Sequence, residues 1–356
     1  MNPPFILLSE GLDGQPGGIQ RVSRQVATAL VHSKDPAFIW SANDRLAQRL
    51  PSPLEGRGFG KNYPAMFFAA CTTQKLPSKG CPVSCWHMGL LPVAAALAAR
   101  LGSRADLFLH GIEAWGEISW MRSLAMRRIR RIGANSHFTL ERFRQKHPQY
   151  ALLPGVVLPL GLSPEFVQAS ENAKSKAGFS YILTVTRQSE HYKGVTTLLD
   201  AFKKIREKHP ALKLVFVGEG ALLGEHRVRA AEMGLADAVV FAGNVTDREL
   251  AEWYAGCEFF VLLSKGEGFG IVFLEAMYHG KPVVATRADA AGEVIADGAT
   301  GMLVTPQDRE AAAEAILRLL AGKDEARAMG ERGRRRVLAQ FMPQHFEARL
   351  KKYWNE

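Results

Sequence analysis

The sequence predicts an α/β protein built from two doubly wound, Rossmann-like domains, and three observations predict it. From Tyr181 onward, short apolar runs alternate with helical patterns, the mark of a parallel sheet with helices on both faces. At 356 residues the chain is too long for one ordinary domain. The apolar run Phe259 to Leu263 breaks into Ser-Lys-Gly-Glu-Gly-Phe-Gly before a helical pattern resumes at Ile271, which reads as strand, glycine loop and helix.

Composition is that of a globular protein, and no stretch reaches the ~18 apolar residues of a membrane span. The start MNPPFILLSEG has no basic leader region, so a cytoplasmic place is expected. Cys71, Cys81, Cys85 and Cys257 show no C-x-x-C spacing and are expected to be buried free thiols. The net charge of +10 is uneven: up to Glu165 there are 19 Lys+Arg against 10 Asp+Glu, and beyond it 26 against 25. A basic first half suggests a polyanionic partner. Neither zinc-finger spacing nor an aromatic RNA-binding motif favours nucleic acid, which leaves an anionic membrane surface, at the inner face of the cytoplasmic membrane, or a phosphorylated acceptor.

Taken in order, Phe5 to Leu8 suits a buried first strand, and a polar loop follows, ending in Pro16-Gly17-Gly18. Ile19, Val22, Val26 and Leu30 then recur at helical spacing with Arg21, Arg24 and Gln25 between them. Gly17 and Gly18 stand at this helix's N-terminus, where free N–H groups attract a phosphate, although an ordinary turn fits the residues equally well. Phe38 to Ser41, Val83 to His87 and Leu107 to His110 read as strands, with an alanine-rich helix over Val93 to Leu101. Ile118 to Arg131 is the most basic segment. Read as a helix, it gathers Ile118, Met121, Ala125 and Ile129 on one side and spreads Arg127, Arg128, Arg130 and Arg131 over the other. That face is either solvated or meets anionic lipid or a phosphorylated acceptor. Ser136 is placed to cap a helix over Phe138 to Gln145, and Val156 to Leu160 is the next strand.

In the second half, strands are expected near 181–186, 212–217, 238–242, 259–264, 283–286 and 302–305. Ligands bind at the C-terminal ends of such strands. Arg187, Lys193 and Gly194 follow the first, and exposed cations there are either solvated or suit a phosphate. Gly218, Gly220 and Gly224 follow the second and imitate a dinucleotide fingerprint, but no acidic residue ends the next strand. Gly243-Asn244-Val245 follows the third. In the glycine loop, Gly266, Gly268 and Gly270 let an anion lie against backbone N–H groups, with the positive end of a helix behind them. Glu267 and Glu275 flank it at an E-x7-E spacing. Two helices close the chain, Asp324 to Gln340 and Gln344 to Trp354.

Taken as one string, E-G-F-G-I-V-F-L-E-A-M-Y-H-G-K-P-V-V-A resembles the signature of the retaining glycosyltransferases of the GT-B fold, the large family usually called family 4. H-G-I-E at His110 is similar to a family motif as well. So is LPLGLSPEF, which resembles the inter-domain crossing with Leu160 where Asn is common. The resemblance implies two Rossmann-like domains facing an inter-domain cleft, residues 1–165 binding the acceptor and 166–343 the nucleotide-sugar, with a final helix over 344–356 crossing back to the first. It puts Glu267 on the donor sugar's hydroxyls and Glu275 on the ribose. The backbone of Gly268, Phe269, Gly270 and Ile271 meets the diphosphate or the sugar, and Arg187 and Lys193 stabilise the departing phosphate. It gives His110 a positioning role near the anomeric centre, turns Gly17 and Gly18 towards the diphosphate, lays Gly218 and Gly220 against the nucleotide, and has Asn244 and Val245 hold the base.

The same resemblance implies transfer to an acceptor hydroxyl with retention of configuration. No D-x-D occurs, so no metal or other cofactor is expected, and Arg, Lys and backbone dipoles neutralise the leaving group. A UDP-sugar is placed ahead of a GDP-sugar. The acceptor would be a glycan or a lipid-linked glycan, in assembly of cell-surface polysaccharide, lipopolysaccharide or glycolipid. Two alternatives stand beside this: a dinucleotide-dependent oxidoreductase, resting on the Gly218 loop, and a nucleotide-sugar or membrane-surface binding protein without turnover.

Overall fold

Phe5–Ser9 carries no charge and is buried along its whole length, so it forms the innermost kind of strand, β1. The structure, a computed structural model, describes residues 5–12, 17–45, 50–175 and 177–355. Pro16, expected to lead into the Gly17-Gly18 turn, lies outside them, as do residues 1–4 and Glu356, on which the expected start and the end of the expected closing helix fall. After β1 come β2 (Ala37–Ser41), β3 (Leu54–Gly58), β4 (Val83–Cys85), β5 (Ala105–Leu109), β6 (Ile129–Ala134) and β7 (Gly155–Val157). They pair in parallel in the order β3-β2-β1-β4-β5-β6-β7. β8 (Tyr181–Val185), β9 (Lys213–Val217), β10 (Val239–Gly243), β11 (Phe260–Leu262), β12 (Val283–Thr286) and β13 (Gly301–Val304) form a second parallel sheet, ordered β10-β9-β8-β11-β12-β13.

The chain divides into two compact units, Met1–Leu160 together with Phe346–Glu356, and Gly161–His345. Each sheet reverses its winding once, between β1 and β4 in the first unit and between β8 and β11 in the second. Such a reversal leaves a crevice at the carboxyl ends of the strands, because the connections on either side leave in opposite directions. All four cysteines are free; Cys81, Cys85 and Cys257 are buried, whereas Cys71 is exposed, against expectation. No helix among the described residues is long and apolar enough to cross a membrane.

The basic segment is a correction. Its helix is only Trp120–Met126, and Ile129–Ala134 is strand β6, so Arg130 and Arg131 stand on a sheet. Their carboxylate comes from the neighbouring strand. Asp106 on β5 accepts from Arg130 Nε at 3.0 Å and Nη2 at 2.9 Å, and from Arg131 Nε at 2.9 Å. Arg131 is 5% exposed; it also donates to the Tyr353 carbonyl and lies 4.0 Å from the centre of that ring. The expected four-arginine face therefore does not form. Arg131 is a buried tie between β6 and the closing helix Pro343–Asn355, and the exposed Arg130 is ion-paired to the same Asp106. Arg127 and Arg128 stay exposed, in the turn between helix and strand.

Candidate active site

At the reversal in the second sheet, β8 and β11 are neighbours, and each ends in a loop that carries charge. Lys193 and Gly194 follow β8; the glycine loop follows β11. Gly194 permits their approach: its φ is +74°, and a Cβ there would lie 2.0 Å from the Leu263 carbonyl oxygen. The Lys265 N–H, in turn, donates to the Tyr192 carbonyl at 2.8 Å. The two loops are thereby locked side by side. Lys193 Nζ sits 2.8 Å from Glu267 Oε1, with only 14% and 13% of the two side chains exposed. Burial works against the lysine's charge, but the Glu267 carboxylate outweighs it and holds the ammonium pKa above its ordinary value.

A third group at this point escaped the sequence reading. Asp289, just past β12, accepts from the Glu267 N–H at 2.7 Å and from the Ala291 N–H at 2.9 Å. Burial pushes its carboxyl up to about 7; the two N–H donors pull down against this, and the charge of Glu267 adds to the rise. Asp289 fixes the backbone on which the Glu267 side chain hangs. The available signal was positional, since this Asp lies at the carboxyl end of a parallel strand, where ligands gather.

Behind the loop, the helix Ile271–Tyr278 starts at Gly270, with no side chain capping its first N–H groups. Gly268 is part-exposed, and Phe269 is buried with its ring centre 6.1 Å from that of Phe341. Glu275 is not open to the surface: it is 1% exposed and its Oε2 accepts from the Tyr254 hydroxyl at 2.8 Å. Arg187 is the opposite case, with 60% of its side chain exposed and its nearest carboxylate, Glu190, at 3.6 Å.

Arg187 is placed by its neighbour. Gln188 is fully buried; its Nε2 donates to the Gly218 carbonyl at 2.9 Å and its Oε1 faces His226 Nδ1 at 2.9 Å. Since Nε2 is the donor end of that amide, His226 Nδ1 must carry a hydrogen. The Gln188 backbone is bonded in both directions, to the Glu219 carbonyl and from the Leu222 N–H. A Cβ at Gly220 would lie 2.2 Å from the Gln188 carbonyl carbon, and one at Gly218 2.3 Å from the Thr186 carbonyl oxygen. The glycines of this imitation fingerprint are thus required by the Thr186–Gln188 turn, which removes the one feature that supported an oxidoreductase. Asn244 is exposed and donates to Glu219 Oε2 at 2.9 Å; Val245, next to it, is half-buried.

In the first unit, His110 follows β5 and is 8% exposed. Its Nε2 donates to the Trp86 carbonyl at 2.8 Å, so Nδ1 is a bare lone pair, and this buried atom has no hydrogen-bond partner. Burial lowers the ring's pKa, which keeps it neutral. Glu113 accepts from the His110 and Gly111 N–H groups and so shapes this turn. Gly17 caps the helix Gly18–Ser33 with no side-chain hydrogen bond, and a Cβ at Gly18 would meet open space. Among the described residues, no three His, Cys, Asp or Glu side chains gather where they could hold a metal ion.

Residues 168–336 match the family described as glycosyl transferases group 1. The GDP-mannose-dependent alpha-(1-6)-phosphatidylinositol monomannoside mannosyltransferase of Mycobacterium tuberculosis is 33% identical to this chain over 289 residues, 74% of each protein. Among solved structures, HepE of Anabaena in complex with UDP and glucose superposes with a TM-score of 0.78, at 20% identity and 99% coverage of both chains. Sucrose-phosphate synthase of Thermosynechococcus elongatus does so with a TM-score of 0.79, at 21% identity, covering 99% of this chain and 98% of that one. At such identities these two likenesses concern the fold.

Proposed function

This chain belongs to the group 1 glycosyl transferases, with their GT-B fold, and is a glycosyltransferase; from that premise we infer that it moves a hexosyl group from a nucleoside-diphosphate sugar to an acceptor hydroxyl with retention of configuration. The Lys193–Glu267 pair carries the reading. It sets a cation and a carboxylate side by side at the reversal of the second sheet, and the helix that follows the glycine loop starts without a side-chain cap. The cation and the helix suit a diphosphate, and the carboxylate suits sugar hydroxyls.

In this mechanism the acceptor oxygen attacks the anomeric carbon from the face that the phosphate leaves. The bond from that carbon to the phosphate oxygen breaks, the new glycosidic bond forms, and the departing phosphate takes the acceptor's proton. Arg187, exposed and able to give two bonds, and Lys193, a point charge, stabilise the leaving group together with the amides of the glycine loop. Glu267 orients the sugar. Glu275, braced by Tyr254, is assigned to the ribose, Asn244 and Val245 to the base, and the His110 Nδ1 lone pair to a sugar hydroxyl.

For the donor base, the mannosyltransferase relative supports guanosine, reversing the order that the sequence suggested. Its name also supports a glycolipid acceptor, as does the basic charge of the first half. A place at the cytoplasmic membrane surface follows from such an acceptor. The test is release of nucleoside diphosphate from GDP-mannose and from UDP-glucose, with and without a chelator, and with Glu267→Ala alongside. Chelator-resistant release from GDP-mannose that the variant loses supports the whole reading. Release from neither sugar, with NAD bound instead, would overturn it.

A further inference from the structure

Between Glu55 and Asp106 the sequence contains no carboxylate, while Arg57, Lys61, Lys75, Lys79, Arg100 and Arg104 all fall within it. Helix Tyr63–Thr72, with the sequence YPAMFFAACT, has no charged residue. A helix apolar all round is normally buried on every side. Here Met66, Ala69 and Ala70 face the core, but Phe67 is 44% and Phe68 68% exposed. Helix Tyr63–Thr72 packs on helix Leu91–Leu101, which packs in turn on helix Trp120–Met126. The last carries a second set of uncovered apolar side chains, Trp120 at 75%, Met121 at 53% and Leu124 at 55%. Most of the large apolar side chains exposed in this unit thus fall on two helices of one layer. Scattered exposed apolar residues are ordinary; a cluster on one layer marks a surface that meets something apolar.

The charge around these side chains says what that is. Neither helix contains an Asp or Glu, Arg127 and Arg128 are exposed where the second one ends, and Lys61 is exposed where the first begins. We propose that Phe67, Phe68, Trp120, Met121 and Leu124 insert at the surface of a bilayer bearing anionic lipid, with Arg127 and Arg128 on its headgroups. Aromatic side chains with cations beside them suit that interface, since the rings sit at the headgroup level and the cations meet negative surface potential. This gives the membrane place inferred above a surface and rests on that reading of the acceptor, but it does not need the donor site.

The full chain is sedimented with vesicles of phosphatidylcholine alone and of phosphatidylcholine mixed with phosphatidylglycerol. The protein should pellet with the mixed vesicles, and both Phe68→Ser/Trp120→Ser and Arg127→Gln/Arg128→Gln should weaken this by about tenfold or more. Brominated lipid should quench tryptophan emission, and Trp120→Phe should remove most of that quenching. An unchanged thermal midpoint in each variant separates a lost surface from a lost fold, and midpoint shifts with GDP report the donor site separately. Equal pelleting on both vesicles, unaffected variants, or a dimer in sedimentation equilibrium that Phe68→Ser/Trp120→Ser dissolves would overturn the proposal.

Discussion

Lys193 and Glu267 hold each other at 2.8 Å across the reversal between β8 and β11, with little of either side chain open to solvent. Removing one partner leaves an uncompensated charge. Lys193→Ala and Glu267→Ala should each cost about 3–5 kcal/mol in denaturant unfolding, and the double variant less than their sum. Glu267→Ala should also lower turnover by about 10²–10³ while nucleoside diphosphate still raises its thermal midpoint. Losses that simply add would mean that the two do not act as a pair.

Gln188 ties the Arg187 turn to the Gly218 loop through one donor and one acceptor. Gln188→Ala leaves both the Gly218 carbonyl and His226 Nδ1–H unpaired, at a cost of about 1–3 kcal/mol for each group left buried. Gln188→Glu keeps the acceptor for His226 and loses the donor to Gly218, so it should fall between the wild type and Gln188→Ala in thermal midpoint. Because Arg187 is released in both, kcat should drop more than the affinity for nucleotide. Equal loss of affinity and turnover would show that Gln188 supports the fold without placing Arg187.

Arg131 is a stability residue. Arg131→Met breaks a buried bond to Asp106 and the tie to the Tyr353 carbonyl, and should cost about 3–5 kcal/mol. Proteolysis should then release the closing helix first. A variant as stable as the wild type in urea would show that the closing helix is held by its apolar residues alone.

Asp289 makes stability depend on pH in an uncommon direction. Unfolded, its carboxyl ionises near its ordinary 3.8; folded, it does so at about 7. Between these values the native state holds a proton that the unfolded state has released. Its contribution is therefore complete below the unfolded value and is lost as pH rises through about 7. Compared with Asp289→Asn, the wild type should lose relative stability between about pH 4 and about pH 7 in denaturant titrations. A difference that stays constant or grows over that range would contradict the shift.

The second sheet was legible almost strand by strand, because runs such as Phe259 to Leu263 are buried on both faces and read as unbroken apolar segments. The first was less so. β3 is an edge strand with Glu55, Gly56 and Arg57 exposed, so it leaves no apolar run. Helix Tyr63–Thr72 is apolar on all sides and leaves no period. Arg130 and Arg131 read as a helix face because their carboxylate, Asp106, arrives from another strand. In the site, charged residues beside glycines announced themselves; Asp289 and Gln188 did not, since they act on backbone groups that only the folded sheet brings near.

The closing helix has a consequence for the order in which the protein can be made. The first unit is discontinuous, and its last piece, Phe346–Glu356, is translated after the whole of Gly161–His345. A ribosome that has released the first sheet still holds back the carbonyl that Arg131 donates to. The uninterrupted second unit is free to finish first, while the earlier-born one waits, partly assembled, for a segment translated after it.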